Sequence, residues 1–136
     1  VRDELMKEES VQDAVKLMNR IDVALVGIGY PNEHSAIKAT GYYKENEIES
    51  LVSRKAAGEL CMQFYDIEGY TEPYASDNAV IGMDIHRLCK VPCSVGIAGG
   101  KEKLSAIQGA INGKYINVLI TDTECARALL SDEEEE

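Results

Sequence analysis

Positive charge is what this sequence has least of: 14 Lys plus Arg stand against 24 Asp plus Glu in 136 residues, a formal net charge of −10. Five of the negative charges sit in Asp132 to Glu136, which leaves about −5 on the body. A body of that sign offers no basic stripe to neutralise phosphates along a duplex, and this argues against direct DNA or RNA binding by the stretch. Long apolar runs are missing too. No window approaches ~18 uninterrupted apolar residues, so no helix crossing a bilayer is expected. Cysteine is sparse and scattered, and Cys61, Cys89, Cys93 and Cys125 read as free, buried thiols of a cytoplasmic protein. His86, Cys89 and Cys93 fall close together, but a structural zinc site pairs two such clusters and the second is absent; no metal is expected. The chain opens at Val1 in charged helical sequence, without a methionine or the pattern of a signal peptide. It reads as a piece cut from a longer protein.

What is present suffices for one domain. With 45% apolar residues the chain can bury its own core. Ser10, with Asp13 three residues on, signals a helix start, and Val11, Ala14, Val15 and Met18 recur behind it at helical spacing. Val23 to Val26, closed by Gly27, is short and dense, as in a strand buried on both faces. Asn46 and Glu49 predict a second helix striped by Ile48, Leu51, Val52 and Ala56, with Gly58 placed for a left-handed cap. Leu60 to Tyr65 reads as one strand, ended by the turn Asp66-Ile67-Glu68-Gly69. Ala79 to Met83 is expected as a short strand, and Asp84 to Cys89 as a single helical turn. A strand at Ser94 to Ala98, a helix from Lys101 to Asn112 stopped by Gly113, and a strand at Ile116 to Ile120 follow. Thr121 and Glu124 box the start of a last helix to Leu130. The glutamate tail reads as solvated.

Strands alternating with helices in this way mean βαβ units. The fold class is α/β, with a parallel Rossmann-like sheet and flanking helices. Ligands in such sheets bind beyond the carboxyl ends of the strands, which selects the loops Gly27-Ile28-Gly29, Ala98-Gly99-Gly100 and Thr121-Asp122. Gly27 and Gly29 do not extend to a dinucleotide fingerprint, because Asn32 stands where the third glycine belongs and Pro31 intervenes. They serve either a tight turn or a close backbone approach to something. At Gly99-Gly100-Lys101-Glu102-Lys103 a strand ends, two glycines turn the chain and a helix begins. That is the geometry of an anion site. Lys101 and Lys103 oppose the helix dipole there, a placement that an anionic ligand would turn from penalty to gain, and that solvated lysines would also tolerate. No serine lies in a nucleophile elbow, and His34 and His86 are isolated. Glu59, between a helix end and a strand, either caps locally or accepts hydrogen bonds from a polyhydroxy ligand.

Six segments, in order, carry a resemblance: Asp22-Val23-Ala24-Leu25-Val26-Gly27-Ile28-Gly29; Ala57-Gly58-Glu59-Leu60-Cys61; Phe64-Tyr65-Asp66-Ile67-Glu68-Gly69; Ile81-Gly82-Met83; Ala98-Gly99-Gly100-Lys101-Glu102-Lys103; and Asn117-Val118-Leu119-Ile120-Thr121-Asp122. Together they resemble the effector-binding domain of the sorbitol-operon-regulator (SorC) family of bacterial transcription factors. The resemblance implies a glucosamine-phosphate isomerase and CoA-transferase-like fold that senses a phosphorylated sugar, with no cofactor. It implies a helix-turn-helix domain N-terminal to this region as the sole contact with operator DNA, and a homo-oligomer, dimer or tetramer. Residues 1–131 would then be part of the effector domain, with 132–136 an acidic tail and the first part of the sugar-binding domain preceding Val1. Lys103 falls on the family's phosphate-contacting lysine. Glu59 stands where the family commonly has the aspartate of Val-Gly-Asp, and Lys38 stands in for its arginine. The expected effector site is therefore Gly27, Gly29, Lys38, Glu59, Gly99, Gly100 and Lys103. The competing reading is an enzyme on the same scaffold, a sugar-phosphate isomerase or amino-sugar-phosphate deaminase. That reading needs a general base and an acid, and only Glu59 and Asp66 offer themselves. A purely oligomerising domain with a decayed pocket is a third reading.

Overall fold

The computed structural model describes residues 1–32 and 34–133. The expected tail therefore lies, from position 134 on, outside the described residues. In chain order the elements are α1 (Arg2–Leu5), α2 (Glu9–Met18), β1 (Val23–Gly27), α3 (Ala36–Ala39), α4 (Glu45–Ser53), β2 (Gly58–Leu60), β3 (Gln63–Tyr65), α5 (Ile85–Leu88), β4 (Cys93–Ile97), α6 (Leu104–Asn112), β5 (Val118–Ile120) and α7 (Thr123–Glu133). Single 3₁₀ turns cover Glu72–Tyr74 and Lys101–Lys103.

β1, β4 and β5 form a parallel sheet in the order β1-β4-β5. The register aligns Leu25 with Val95 and Val118, and Gly27 with Ile97 and Ile120. All three strands therefore end together, and the loops that leave them lie side by side. The expected α/β class and the parallel sheet hold. One face of that sheet packs on the main core, where Ala24, Ile28, Leu60, Tyr65, Ile107, Tyr115 and Ile116 are buried. Gly96 is a glycine because a Cβ there would stand 2.9 Å from Ile116 and 3.0 Å from Ile28. A second core joins α3 and α4 through Ile37, Ile48 and Leu51 to Tyr43, Phe64 and Tyr74. Each fully buried aliphatic or phenyl side chain of these clusters contributes about 1.5–3 kcal/mol.

Four local expectations are corrected. Leu60 to Tyr65 is not one strand: β2 and β3 pair antiparallel as a separate hairpin, with Cys61 (φ 53°) and Met62 (φ 62°) turning the chain between them. Two left-handed non-glycine residues in a row give no turn signal in the sequence. Ala79 to Met83 forms no strand, since the side chain of Asn78 takes the pairing positions on β3, accepting from Phe64 N–H at 2.7 Å and donating to Phe64 C=O at 3.0 Å. Gly58 is no left-handed cap. That conformation falls on Lys55 (φ 62°), while Gly58 leaves room for Tyr65, whose hydroxyl oxygen would be 2.5 Å from a Cβ. The helix starts also shift. Glu47 accepts from the Lys44 amide at 2.7 Å ahead of α4, and Asp122, not Thr121, caps α7 by accepting from Cys125 N–H at 2.8 Å.

Of the cysteines expected to be buried, Cys125 is; Cys61 and Cys93 are half-buried and Cys89 is exposed. No helix among the described residues is long and apolar enough to cross a membrane.

Candidate functional site

The carboxyl ends of the three parallel strands bring the loops after β1, β4 and β5 together, and the β2–β3 hairpin closes against the first of them. Gly29 and Glu59 exchange backbone hydrogen bonds as an isolated antiparallel bridge, N–H to C=O at 3.0 and 2.9 Å. A Cβ on Gly29 would stand 2.8 Å from the Glu59 carboxylate. The close approach that two glycines after β1 allow is thus made, in part, to this carboxylate of the protein itself.

Glu59 is 9% exposed. Burial pushes its carboxyl above the ordinary value, while the Met62 N–H, 3.4 Å from Oε1, and the positive charge of Lys103 pull it partly back. The left-handed turn at Cys61 and Met62 aims that amide inward. Lys103 reaches across from the β4–α6 loop, and its Nζ donates to the Ile28 carbonyl at 3.0 Å. A cation, a buried carboxylate and a tight backbone turn thus meet at the strand ends.

The Gly99-Gly100 loop differs from its sequence reading in one respect. The Gly100 amide donates to Asp122 Oδ2 at 2.6 Å, and the other oxygen of that carboxylate caps α7. These two amides, Cys125 first and Gly100 second, hold the Asp122 carboxyl below the ordinary range. Cys125 Sγ donates to the Gly100 carbonyl at 3.2 Å, which fastens the loop to α7 a second time. A negative group of the chain itself therefore sits where the sequence alone suggested a ligand anion. The two lysines that oppose the dipole also find partners: Lys101 lies 3.7 Å from Glu124, and Lys103 points at Ile28. The regular helix begins only at Leu104, behind the 3₁₀ turn.

Of the residues expected in the site, Gly29, Glu59 and Lys103 converge, and Gly99 and Gly100 lie against Asp122. Gly27 ends β1 with open space where a Cβ would be. Lys38 is not brought to this group; it pairs with Glu45 at 3.1 Å along a groove of about 380 Å³ that it shares with Asn32, Ile48 and Val52. Thr121 and Asp122 stand in the third loop that the sequence selects, though neither is among the expected effector residues. The buried hydroxyl of Thr121, at the end of β5, has no hydrogen-bond partner among the described residues. Both follow directly on a strand, the position that marks ligand loops in parallel sheets. Thr71 and His86 share a hydrogen bond of 2.9 Å elsewhere, and no group of three or more metal-ligating side chains occurs among the described residues.

A parallel sheet with glycine turns, a buried carboxylate and a lysine at its strand ends has the α/β architecture in which ligand loops lie beyond the carboxyl ends of the strands. Comparison with known proteins narrows the class. The sequence profile described as "Putative sugar-binding domain" matches residues 1–131, and the chain belongs to this family of sugar-binding domains, as the SorC resemblance implied. The chain is 35% identical over 130 residues to the sorbitol operon regulator of Klebsiella pneumoniae, covering 96% of this chain and 41% of that protein. It is 32% identical over 126 residues to the deoxyribonucleoside regulator of Bacillus subtilis (strain 168), covering 93% and 40%. The crystal structure of the full-length Klebsiella regulator superposes with a TM-score of 0.85, covering 95% of this chain and 42% of that one. A DeoR family transcriptional regulator from Listeria monocytogenes superposes equally well, with a TM-score of 0.85 at 25% identity, covering 93% and 51%. The chain spans about two fifths of the length of the curated relatives it matches. Those relatives are named as regulators, not as enzymes.

Proposed function

We propose that this chain is part of the effector-binding domain of a sugar-responsive transcriptional regulator of the cytoplasm, and that its effector is a phosphorylated sugar bound without turnover. Operator DNA would be contacted by a separate N-terminal domain, in a homo-oligomer. The observation that carries the reading is the meeting of Lys103 with buried Glu59 at the ends of β1 and β4. A lysine ammonium supplies charge for a phosphate, while Glu59 and Asp122 are acceptors for sugar hydroxyls. The Thr121 hydroxyl adds a buried polar group that has no partner among the described residues. The acidic body supports the assignment of DNA contacts elsewhere.

The test is a thermal-shift and calorimetry panel of sugar phosphates against the matching free sugars, run on the complete polypeptide. Ligand at about 100 times its dissociation constant stabilises the fold by about 2.7 kcal/mol. A shift given by phosphorylated sugars and lost in Lys103→Ala supports the reading. A shift given equally by the free sugars, and unchanged in Lys103→Ala, removes the phosphate from it.

A further inference from the structure

Glu59 is a buried carboxylate with little to support its charge. It is 9% exposed, and polypeptide beyond these residues can only bury it further. Oε1 accepts from the Met62 amide over a long 3.4 Å. Among the described residues no donor reaches Oε2, which lies on the Gly29 side, 2.8 Å from where a Cβ of that glycine would stand. The positive charge that acts on Glu59 is that of Lys103. No ion pair joins the two among the described residues; the ammonium is turned instead to the Ile28 carbonyl at 3.0 Å. The other titratable groups that feel Glu59 are Cys61 and Tyr65 on the hairpin and Tyr43 of the second core. Burial raises all three, so they stay uncharged near neutral pH. Asp122, across the Gly99-Gly100 loop, is held ionised by the Cys125 and Gly100 amides.

A sugar phosphate that pairs with Lys103 takes up the one positive charge near Glu59 and brings about −1.5 to −2 of its own. Like charges close together in a buried site do not both persist, and the group whose charge is least supported takes a proton. Asp122 has two amides on it and Glu59 one distant amide, which selects Glu59. We infer, on the reading that the effector carries a phosphate, that its binding is coupled to uptake of one proton from solvent by Glu59 at Oε2, so that the sensor responds to acidity together with sugar phosphate. A protonated Glu59 keeps an acceptor oxygen for a sugar hydroxyl and gains an O–H donor. Linkage fixes the sign: affinity is greatest at low pH and falls as pH rises through the range where Glu59 is protonated in the complex and ionised without it.

The test is calorimetry on the complete polypeptide and its Glu59→Gln variant, with glucose 6-phosphate, ribose 5-phosphate and inorganic phosphate as probes. Buffers of different ionisation enthalpy, between about pH 5 and about pH 8, count the protons taken up per site. The probe's own ionisation, near about pH 6, is common to both proteins and cancels in the comparison. Wild type should take up more protons than the variant, approaching one per site at the peak. Its affinity should fall more steeply than the variant's, by up to about tenfold per pH unit. Equal proton counts in the two proteins overturn the inference and leave the phosphate reading intact. Free glucose and ribose binding as tightly as their phosphates, or no probe binding at all, overturns that reading and the inference with it. Should Glu59→Gln fail to fold, infrared difference spectra of the wild type decide: a protonated-carboxyl band that appears on binding of the probe supports the coupling, and binding without that band overturns it.

Discussion

The two glycine-bearing loops that follow β1 and β4 look alike in sequence and work differently in the structure. After β1, Gly29 supplies space: its backbone lies in extended pairing with Glu59, and a side chain would collide with that carboxylate. After β4, Gly100 supplies a torsion angle. It sits at φ 102°, ψ 134°, a region that glycine alone occupies without strain, and its amide is thereby turned toward Asp122. Gly27 needs neither, having open space and no left-handed φ. A glycine pair after a strand thus carries no single meaning. What it approaches, and at which φ, decides what a substitution costs.

The largest effect is expected at Gly100. Gly100→Val forces a branched side chain into a positive-φ position and against Glu102, and should lower stability by up to about 3 kcal/mol, read as a fall in melting temperature. Lys103→Ala comes next and acts on the ligand: sugar-phosphate affinity should fall by about 1.5–3 kcal/mol in calorimetry, with stability little changed. At Gly29→Ala the added methyl meets the free end of the Glu59 side chain, which can swing away. A loss of about 1 kcal/mol is expected, with effector affinity falling alongside it. If Gly29→Ala proves as damaging as Gly100→Val, the distinction between space and torsion fails. Gly27→Ala is the control, expected within about 0.5 kcal/mol of wild type.

Acid–base behaviour separates the same two loops. Glu59 is held above its ordinary carboxyl value, so between the unfolded and folded values the native state binds more protons than the unfolded one. Stability therefore falls as pH rises through that window, which begins near 4.5. Glu59→Gln should flatten this slope in melting curves recorded at stepwise pH. Asp122 has the opposite sign. Its carboxyl is lowered by the Cys125 and Gly100 amides, so what it contributes is present above the ordinary carboxylate value and is lost as pH falls through the lowered one. Asp122→Asn should remove that acid-side loss while leaving the Glu59 slope in place.

Much of this architecture was legible because apolar runs closed by glycine are short and dense at β1 and β4, and because Asp84 caps α5 through the His86 amide. The hairpin was not. Its turn is made by Cys61 and Met62, whose side chains give no hint of a left-handed backbone, and Asn78 completes β3 with a side chain where a strand was expected. Among the candidate residues, Gly29 could be chosen because position after a strand is a sequence-level property, and Glu59 and Lys103 because they also fall on the family's acidic and lysine positions. Which amide the Gly99-Gly100 loop gives away could not, because Asp122 is 22 residues downstream and comes alongside only when β4 and β5 pair. Lys38 was assigned by likeness to a family arginine, and its partner, Glu45, follows from the local fold of α3 and α4.

Tyr65 links two glycines that nothing in the sequence connects. Its ring lies where a Cβ of Gly58 would be, and its edge stands 2.8 Å from where a Cβ of Gly109 on α6 would be, while its hydroxyl donates to the Ala106 carbonyl at 2.9 Å. The two glycines are nevertheless held differently, because a Cβ on Gly109 would also stand 2.5 Å from the Asp66 backbone carbonyl, whereas one on Gly58 would meet Tyr65 atoms first. Homologues that carry alanine in place of Gly58 should therefore have a smaller residue in place of the tyrosine, while Gly109 should stay glycine whether or not the tyrosine is kept. A library that randomises the three codons together and selects for folded protein should recover that asymmetry, with Gly58→Ala enriched only beside a trimmed Tyr65 and Gly109→Ala depleted in both backgrounds.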